Sequence, residues 1–447
     1  MTDSLTPNAS QFDETVVATA QPVSASERIN SIDMLRGVAV LGILVMNIYG
    51  FAMPFVAYGN PLAYGRTEPH NIGTWFVTHL FFDLKFMTIF SMLYGAGLIL
   101  LMTRAEARGV RYGATWFRRN FWLLLIGAMH GYLIWWGDIL FPYAIVGMIV
   151  FLFRYLPAKS LITTGVVILA IAPLLSLTVG TYMNKLQIAA TEIEVLHEAG
   201  EELTDEQTAI LEAWDKTSVM FGDPAELIGK DLKGYNQGYL GVVAHRQPTV
   251  TMMQTQELFF SFIWRVGGVM LIGMALMKLG VISGDRSRAF YKKMMQIGYG
   301  VGLPIAAFGA WNLSVHEWDH FYTYSVGALP NYIASLFIAL GHIALVMTIF
   351  KSGALNSLMQ RFAAVGRMAF TNYLMHSVIL TTVFYGYGFG LYGQVPRLYQ
   401  MGFVVAVIGL QLWISPIWLQ HYRFGPAEWL WRTLTYWKRQ PMRLTHP

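Results

Sequence analysis

Long apolar runs separated by short charged loops dominate this chain. A helix needs roughly 20 mostly apolar residues to cross the hydrocarbon core of a bilayer. Ten such runs are present, at about 34–53, 86–103, 120–136, 139–156, 160–182, 258–281, 294–313, 331–350, 368–387 and 399–420. We therefore predict an all-α fold, a polytopic transmembrane helical bundle of about ten spans. A shorter run, 73–83, is predicted to be an interfacial or re-entrant helix.

The polar segments divide the chain into five parts. Residues 1–30 lack the basic start and apolar centre of a cleavable signal, and they are predicted to form a disordered cytoplasmic tail. Residues 31–183 hold membrane helices 1–5, and residues 258–424 hold membrane helices 6–10. Between them, residues 184–257 contain thirteen acidic and five basic residues and are predicted to form a helical, outward-facing lid or cap. Residues 425–447 are predicted to be an amphipathic interfacial anchor.

The composition agrees with a membrane protein and narrows the chemistry. Of the 447 residues, 55% are hydrophobic and 13% are charged, which is more apolar surface than a soluble fold of this length buries. The chain has no cysteine, so disulfides, thiol catalysis and cysteine-ligated metals are excluded. The net charge of +5 comes from short basic clusters between apolar runs. This pattern fits orientation in a membrane and not nucleic-acid binding.

The basic residues are concentrated in alternate loops. Loops 104–119 and 278–293 each hold five Lys or Arg residues, whereas the opposite short loops hold only Arg66 and Arg397. Basic loops remain on the cytoplasmic side of a membrane. Both termini are therefore predicted to be cytoplasmic, with the lid on the opposite side and the lipid bilayer as the main partner.

Two ionisable residues flank a Trp-Trp-Gly corner inside apolar sequence. A charge at membrane depth costs at least about 2.5–3.5 kcal/mol, so it needs a partner, a wet cavity or a function. We expect Gly137 to break the helix, so that Asp138 turns back toward His130 and supports it as a general base. The structural alternative makes Asp138 a helix N-cap and bonds His130 to a backbone carbonyl.

Three further charges are predicted at the same depth near the outer face, namely Asp83, Lys85 and Arg265. Together with the histidine and aspartate at the corner, they favour a functional cavity over isolated structural pairs. His70 and His79 flank the short helix before the second span. Either of them is an alternative position for an outward-facing catalytic histidine.

A second polar layer is predicted toward the cytoplasmic face. Asp33 and Arg36 open the first span, and Arg367 and Asn372 lie at the start of the ninth. The two arginines can hold the phosphates of a cytosolic donor, with the aspartate and asparagine as their partners. Alternatively, they are positive-inside anchors whose side chains extend to the interface. No metal site is predicted.

Five segments, taken in order, resemble the YeiB-like family of bacterial inner-membrane proteins. They are IDMLRGVAVLGILVMNI (32–48), DLKFMTIFSMLYGAG (83–97), HGYLIWWGDIL (130–140), GRMAFTNYL (366–374) and GPAEWLWR (425–432). The DxxRGxA start, with Asp33, Arg36 and Gly37, is more distantly similar to transmembrane acyltransferases such as heparan-α-glucosaminide N-acetyltransferase. That similarity implies transfer of an acyl group from cytosolic acyl-CoA to an acceptor on the outer side, by means of a histidine. In the acetyltransferase the histidine lies shortly before the second span, as His70 and His79 do here, whereas the YeiB-like motif points to His130.

We therefore expect an acyltransferase-like enzyme in the bacterial inner membrane, with acyl-CoA as donor and a small molecule as acceptor. His130 would deprotonate the acceptor hydroxyl or amine, Asp138 would orient the histidine, and Lys85 or Arg265 would stabilise the oxyanion. A transporter or exporter of a small polar or amphiphilic solute is the alternative. The acceptor, the acyl chain and the oligomeric state stay open, and a homo-oligomer is one option.

Overall fold

Helices make up the architecture of this protein. The computed structural model describes residues 30–65, 67–221 and 223–444, so the predicted disordered tail, except for Asn30, and Arg66 lie outside the described residues. Within these ranges there is no strand, and the single isolated bridge joins Tyr422 to Arg443. The prediction of an all-α helical bundle is confirmed.

The chain runs through helices of very different lengths. In the described ranges they are α1 (Asn30–Ala52), α2 (Val56–Gly59), α3 (Pro69–Phe81), α4 (Lys85–Ala107), α5 (Gly113–Leu133), α6 (Leu140–Val150), α7 (Ala158–Glu198), α8 (Asp205–Phe221), α9 (Pro224–Tyr235), α10 (Tyr239–Met252), α11 (Ile263–Lys278), α12 (Arg288–Val315), α13 (His320–Tyr322), α14 (Leu329–Ser352), α15 (Asn356–Arg367), α16 (Ala369–Phe384), α17 (Arg397–His421) and α18 (Pro426–Tyr436). A 3-10 turn, Phe151–Phe153, extends α6. Two π-helical stretches, Met253–Phe262 and Thr323–Gly327, join α10 to α11 and α13 to α14.

Several of these helices are long and apolar enough to cross a membrane. In the described part of the chain they are Asn30–Ala52, Pro69–Ala107, Ala158–Glu198, Tyr239–Lys278, Leu329–Ser352 and Arg397–His421. Each of the ten sequence ranges proposed as spans overlaps a helix of the structure. The short helix expected at 73–83 is α3. The count of ten spans stays a prediction.

Helix α1 forms the centre of the bundle, and α7 and α17 form its edge. Of the 23 residues of α1, 18 are buried. In the most apolar 18-residue stretch of α7 only 17% of the residues are buried, and in the corresponding stretch of α17 only 28% are. Large apolar side chains such as Val167, Leu174 and Trp413 are exposed on these outer helices. An exposed apolar surface of this extent requires an apolar environment, which the acyl chains of a bilayer supply.

Two glycines allow α1 and α15 to cross at backbone contact. A Cβ added at Gly37 would lie 1.9 Å from the carbonyl oxygen of Phe362, and one added at Gly366 would lie 1.8 Å from that of Asp33. Only small residues permit so close an approach of two helices in a membrane. The crossing places the beginning of α1 beside Arg367.

The segment 184–257 is helical, as predicted, and it packs on one end of the bundle. The carboxylate of Asp231 accepts a hydrogen bond of 2.8 Å from the backbone N–H of Phe55, and Arg246 donates to the carbonyl oxygen of Tyr132 at 3.0 Å. Burial raises the pKa of Tyr235 above its ordinary value, so its phenol stays neutral within this contact. We call this end the lid face, and the opposite end, where α1 begins and α18 packs, the terminal face. The outward orientation of the lid face stays a prediction.

Substitution of Gly37 or Gly366 by alanine should destabilise the bundle, because the added Cβ has no space at the crossing of α1 and α15. We expect a loss of about 1–3 kcal/mol or more for each variant, seen as a lower unfolding temperature in detergent. Gly300→Ala in α12 is the matched control, since a Cβ there meets nothing within 4 Å. Equal unfolding temperatures for all three variants would contradict the crossing.

Candidate functional site

Two cavities enter the bundle from its opposite ends and share part of their walls. The terminal cavity, on the terminal face, has a volume of about 230 Å³, and the lid cavity, on the lid face, has a volume of about 480 Å³. Ile43, Ile139 and Tyr373 line both. A thin layer of side chains around Tyr373 therefore separates the two cavities.

The predicted histidine and aspartate form a buried hydrogen-bonded pair beside this layer. Nδ1 of His130 lies 2.7 Å from Oδ2 of Asp138. The pair forms because α5 ends at Leu133 and the chain turns before α6. The other carboxylate oxygen of Asp138 accepts a hydrogen bond of 2.8 Å from the backbone N–H of Phe141. Asp138 therefore caps α6 and binds His130 at the same time. The imidazole is bonded to two side chains, Asp138 and Ser377, and not to the backbone carbonyl that the structural alternative expected.

Three glycines make this corner compact. A Cβ at Gly127 would lie 2.4 Å from the backbone nitrogen of Phe141 and 2.9 Å from Oδ1 of Asp138. A Cβ at Gly137 would lie 2.3 Å from the ring of Trp135, which covers the turn. A Cβ at Gly131 would lie 2.7 Å from the side-chain amide of Gln254. Gly127 thus allows the first turn of α6 to pack directly on α5, whereas Gly131 and Gly137 make room for Gln254 and Trp135.

The second ring nitrogen of His130 is bonded to a serine that no sequence pattern singled out. Nε2 of His130 lies 2.8 Å from Oγ of Ser377 on α16. With its proton on Nδ1, the imidazole donates to Asp138 and accepts from the Ser377 hydroxyl. All three side chains are buried. Their hydrogen bonds follow the order Ser–His–Asp that activates a serine in many enzymes.

Tyr373 links the corner to the shared wall of the cavities. It lies one turn before Ser377 on α16, and its ring centroid is 5.4 Å from that of His130. Its hydroxyl accepts a hydrogen bond of 3.2 Å from the backbone N–H of Ile139 and donates at 3.3 Å to the carbonyl oxygen of Gly137. Tyr373 therefore holds the two residues on either side of Asp138 and also lines both cavities.

The structure brings Asp83 and Lys85 into one network, but only the aspartate lines the lid cavity. The amide of Asn331 donates to Asp83 at 2.8 Å, and Nδ1 of His79 lies 3.1 Å from the same carboxylate oxygen. The ammonium of Lys85 donates to Oδ1 of Asn331 at 2.5 Å and to the carbonyl oxygen of His79 at 2.6 Å. Lys85 is fully buried and is absent from the lining of either cavity.

Arg265 lines the lid cavity and is held there by neutral partners. Its guanidinium donates to the hydroxyl groups of Thr88 at 2.8 Å and Ser335 at 2.5 Å, and to the carbonyl oxygen of Tyr332 at 3.1 Å. The surrounding side chains therefore fix a positive charge on the wall of this cavity. Of the two cations predicted to stabilise an oxyanion, Arg265 is the one that faces open space.

The two alternative histidines lie elsewhere. His70 is exposed at the start of α3 and lines neither cavity. His79 is buried, stacks on Trp75 with ring centroids 4.5 Å apart, and forms a second His–Asp pair with Asp83. Only the pair of His130 and Asp138 adjoins the wall common to both cavities.

The terminal cavity contains the predicted inner layer and further arginines. Asp33, Arg36 and Arg367 line it together, and Arg36 is paired with Asp33 at 3.0 Å. Its arginines are Arg36, Arg104, Arg119, Arg367 and Arg432. Arg104 and Arg119 belong to the loop that the sequence assigned only to membrane orientation.

Asn372, which was predicted to belong to this layer, does not line the terminal cavity. Its amide donates to the carbonyl oxygen of Val365 and to the hydroxyl of Ser415, both at 3.2 Å. One turn later, Nε2 of His376 lies 2.9 Å from Oε1 of Gln411. These contacts join α16 to α17 and give Asn372 a structural role.

The C-terminal helix α18 builds part of the terminal cavity. Its predicted role as an amphipathic interfacial anchor stays a prediction. Glu428 accepts hydrogen bonds from the backbone N–H groups of Phe370 at 2.6 Å and Thr371 at 3.1 Å, so it caps α16 from outside the helix. The guanidinium of Arg119 lies 3.5 Å from the ring centroid of Trp431. The tail is therefore packed against α16 and α5.

The fold and the two cavities define an all-α membrane protein with a buried Ser–His–Asp group in its core. The chain belongs to the YeiB family: it is 33% identical over 416 residues to YeiB of Escherichia coli strain K12, a match that covers 92% of this chain and 96% of that protein. It is also 29% identical over 435 residues to YxaH of Bacillus subtilis strain 168, covering 95% of this chain and 98% of that protein. Residues 276–438 match a family model described as a protein of unknown function, DUF418. No solved structure matches the chain.

Removal of the Asp138 carboxylate should destabilise the protein strongly, because it leaves His130 and the first turn of α6 without their partner. We expect Asp138→Ala to cost about 3–5 kcal/mol. Asp138→Asn should cost less, since the amide oxygen can still accept from the backbone N–H of Phe141, and the amide NH2 can donate to Nδ1 once His130 carries its proton on Nε2. Thermal unfolding in detergent measures both, with the exposed Glu212→Ala as control. If Asp138→Ala unfolds at the temperature of the control, the pair does not stabilise the corner.

Proposed function

We propose that this protein is a membrane acyltransferase that moves an acyl group from cytosolic acyl-CoA to a small-molecule acceptor entering from the periplasmic side. The observation that supports the proposal best is the convergence of two cavities on one wall, at Tyr373, next to His130. A transfer between two compartments requires that donor and acceptor reach the same catalytic group from opposite sides. The shared wall supports such an arrangement, although His130 lines neither cavity and lies behind Tyr373.

The chemistry of the terminal cavity suits the donor. Five arginines line it, compared with only two carboxylates. Both carboxylates already have partners: Asp33 pairs with Arg36, and Glu428 accepts from the backbone at the start of α16. One guanidinium group can bind two oxygens of a phosphate through parallel hydrogen bonds. CoA carries several phosphates. Deeper in the cavity the walls are apolar, with Phe90 and Leu93 among them, as an acyl chain requires. The distribution of basic loops supports a cytosolic position for this end.

The lid cavity suits the acceptor, and the buried pair supplies the base. In this scheme His130 takes the proton of the attacking group, and Asp138 fixes the imidazole and stabilises its protonated form. Arg265 supplies the positive charge for the oxyanion. Asp83, paired with His79, and Lys85, bonded to Asn331, hold the neighbouring wall in place.

Transport is the second candidate, and the carboxylates of the lid cavity favour it. Asp83, Asp138 and Glu257 all line that cavity, and acidic groups at membrane depth are common in proton and cation pathways. A transporter of a small solute has no reason to bind the nucleotide of CoA. Binding of CoA therefore separates the two functions.

We predict that CoA binds to the purified protein and raises its unfolding temperature. Arg36→Gln and Arg104→Gln should each weaken binding by about 10-fold to 100-fold, because a charge-assisted hydrogen bond contributes about 1.5–3 kcal/mol. Calorimetric titration with CoA, and with adenosine as a ligand that lacks the phosphates, measures the change. Arg111→Gln is the matched control, since Arg111 is exposed and lines neither cavity.

If Arg36→Gln, Arg104→Gln and Arg111→Gln bind CoA with equal affinity, the terminal cavity is not the donor site. Absence of CoA binding by the unmodified protein, combined with solute uptake or counterflow in proteoliposomes, would favour the transporter. Binding of adenosine as tightly as CoA would contradict recognition by the arginines.

A further inference from the structure

We propose that Ser377 is the nucleophile of this protein and carries the acyl group as a covalent ester between the two cavities. His130 acts as its base and Asp138 orients the base. The choice of acyl-CoA as donor rests on the proposed function. The reactivity of the serine, however, follows from the geometry of the three side chains themselves.

The hydrogen bond of Ser377 differs from those of Ser91 and Ser325, two other helical serines of this protein. Ser91 and Ser325 each donate to the carbonyl oxygen four residues earlier, at 2.9 Å and 2.6 Å, as helical serines commonly do. In the described part of the chain, the hydroxyl of Ser377 is bonded only to Nε2 of His130, at 2.8 Å. Its proton is therefore directed at the one nitrogen that can accept it, which is how a neighbouring base activates a serine.

The far side of the imidazole is arranged for the same purpose. Nδ1 of His130 is bonded to Asp138 at 2.7 Å, and Asp138 is held by the backbone N–H of Phe141. A carboxylate in this position selects the tautomer with a free Nε2 and stabilises the imidazolium that forms on proton transfer. If His130 needed only a buried hydrogen-bond acceptor at Nδ1, a backbone carbonyl would suffice and a carboxylate would not be required.

The position of Ser377 explains how one residue could serve both cavities. It lies one turn from Tyr373 on the same face of α16, and Tyr373 lines the terminal cavity and the lid cavity. Ser377 itself is fully buried. The Tyr373 ring must therefore move toward one cavity or the other to admit a substrate, and a covalent intermediate allows donor and acceptor to react in turn.

The reaction consists of two balanced steps. In the first, Oγ of Ser377 attacks the thioester carbonyl, its proton passes to Nε2 of His130, the C–S bond breaks, and the thiolate of CoA leaves with that proton as a thiol. In the second, the acceptor loses a proton to His130 and attacks the ester. The bond between the acyl carbon and Oγ then breaks, and Ser377 recovers the proton.

The test uses two kinds of probe on the full-length protein in lipid nanodiscs. A fluorophosphonate reacts with activated serines and requires no knowledge of the donor. Acetyl-, octanoyl- and palmitoyl-CoA, added without acceptor, test formation of the ester. The variants are Ser377→Ala, Ser377→Cys and His130→Gln, with Ser91→Ala as matched control, because Ser91 is a buried helical serine bonded to Tyr143.

We expect the fluorophosphonate to label the unmodified protein and Ser91→Ala at one site, identified as Ser377 by peptide mass mapping. At least one acyl-CoA should add a single acyl group at the same residue. Ser377→Ala should lose both modifications, Ser377→Cys should form a thioester with the acyl group, and His130→Gln should slow both reactions at least about 100-fold. Mapping on the unmodified protein keeps the test valid if a variant fails to fold.

The outcomes separate this inference from the proposed function. If CoA binds but neither probe modifies Ser377, transfer is direct and the serine only positions His130, so the inference is wrong while the donor assignment stands. If the fluorophosphonate labels Ser377 but CoA does not bind, the nucleophile stands and the donor is a different acyl compound. Labelling that persists in Ser377→Ala would overturn the inference outright.

Discussion

The hydrogen bond between His130 and Asp138 is the interaction on which the core of this protein depends. It closes the corner between α5 and α6 inside an apolar bundle, where an unpaired polar group is costly. The close packing at Gly127 brings the aspartate to the histidine, and the bond to Ser377 then ties α16 to α5. One buried pair thereby positions three helices, the wall between the cavities and the reactive groups of the proposed enzyme.

Four of the five segments that resemble the family meet in space. The first-span motif contacts the GRM segment through Gly37 and Gly366, and the tail motif caps α16 through Glu428. The WWGD corner contacts α16 through Tyr373. These segments surround the terminal cavity and the shared wall, whereas the lid packs on the other end of the bundle. The sequence motifs therefore describe one connected structural unit.

Hydropathy predicted the helices because apolar length depends only on local sequence. The corner at Gly137 allowed the His130–Asp138 pair to be predicted for the same reason, since the partners are eight residues apart. Ser377 is 247 residues from His130, and its place depends on the rotation of α16 about its axis. In a helix that is apolar on most faces, as α1 and α16 are, the sequence pattern does not fix that rotation. Asn331, the partner of Lys85, could not be predicted from the sequence for the same reason.

Access to the two cavities from opposite sides of the membrane is the most direct test of this account. The chain has no cysteine, so single cysteines can be introduced at Gly97 of the terminal cavity and Gly59 of the lid cavity, where a side chain has open space. A membrane-impermeant maleimide should label Gly59→Cys in right-side-out vesicles and Gly97→Cys only in inverted ones, and CoA should protect the latter. Labelling of both from the same side would contradict a transfer across the membrane through the wall at Tyr373.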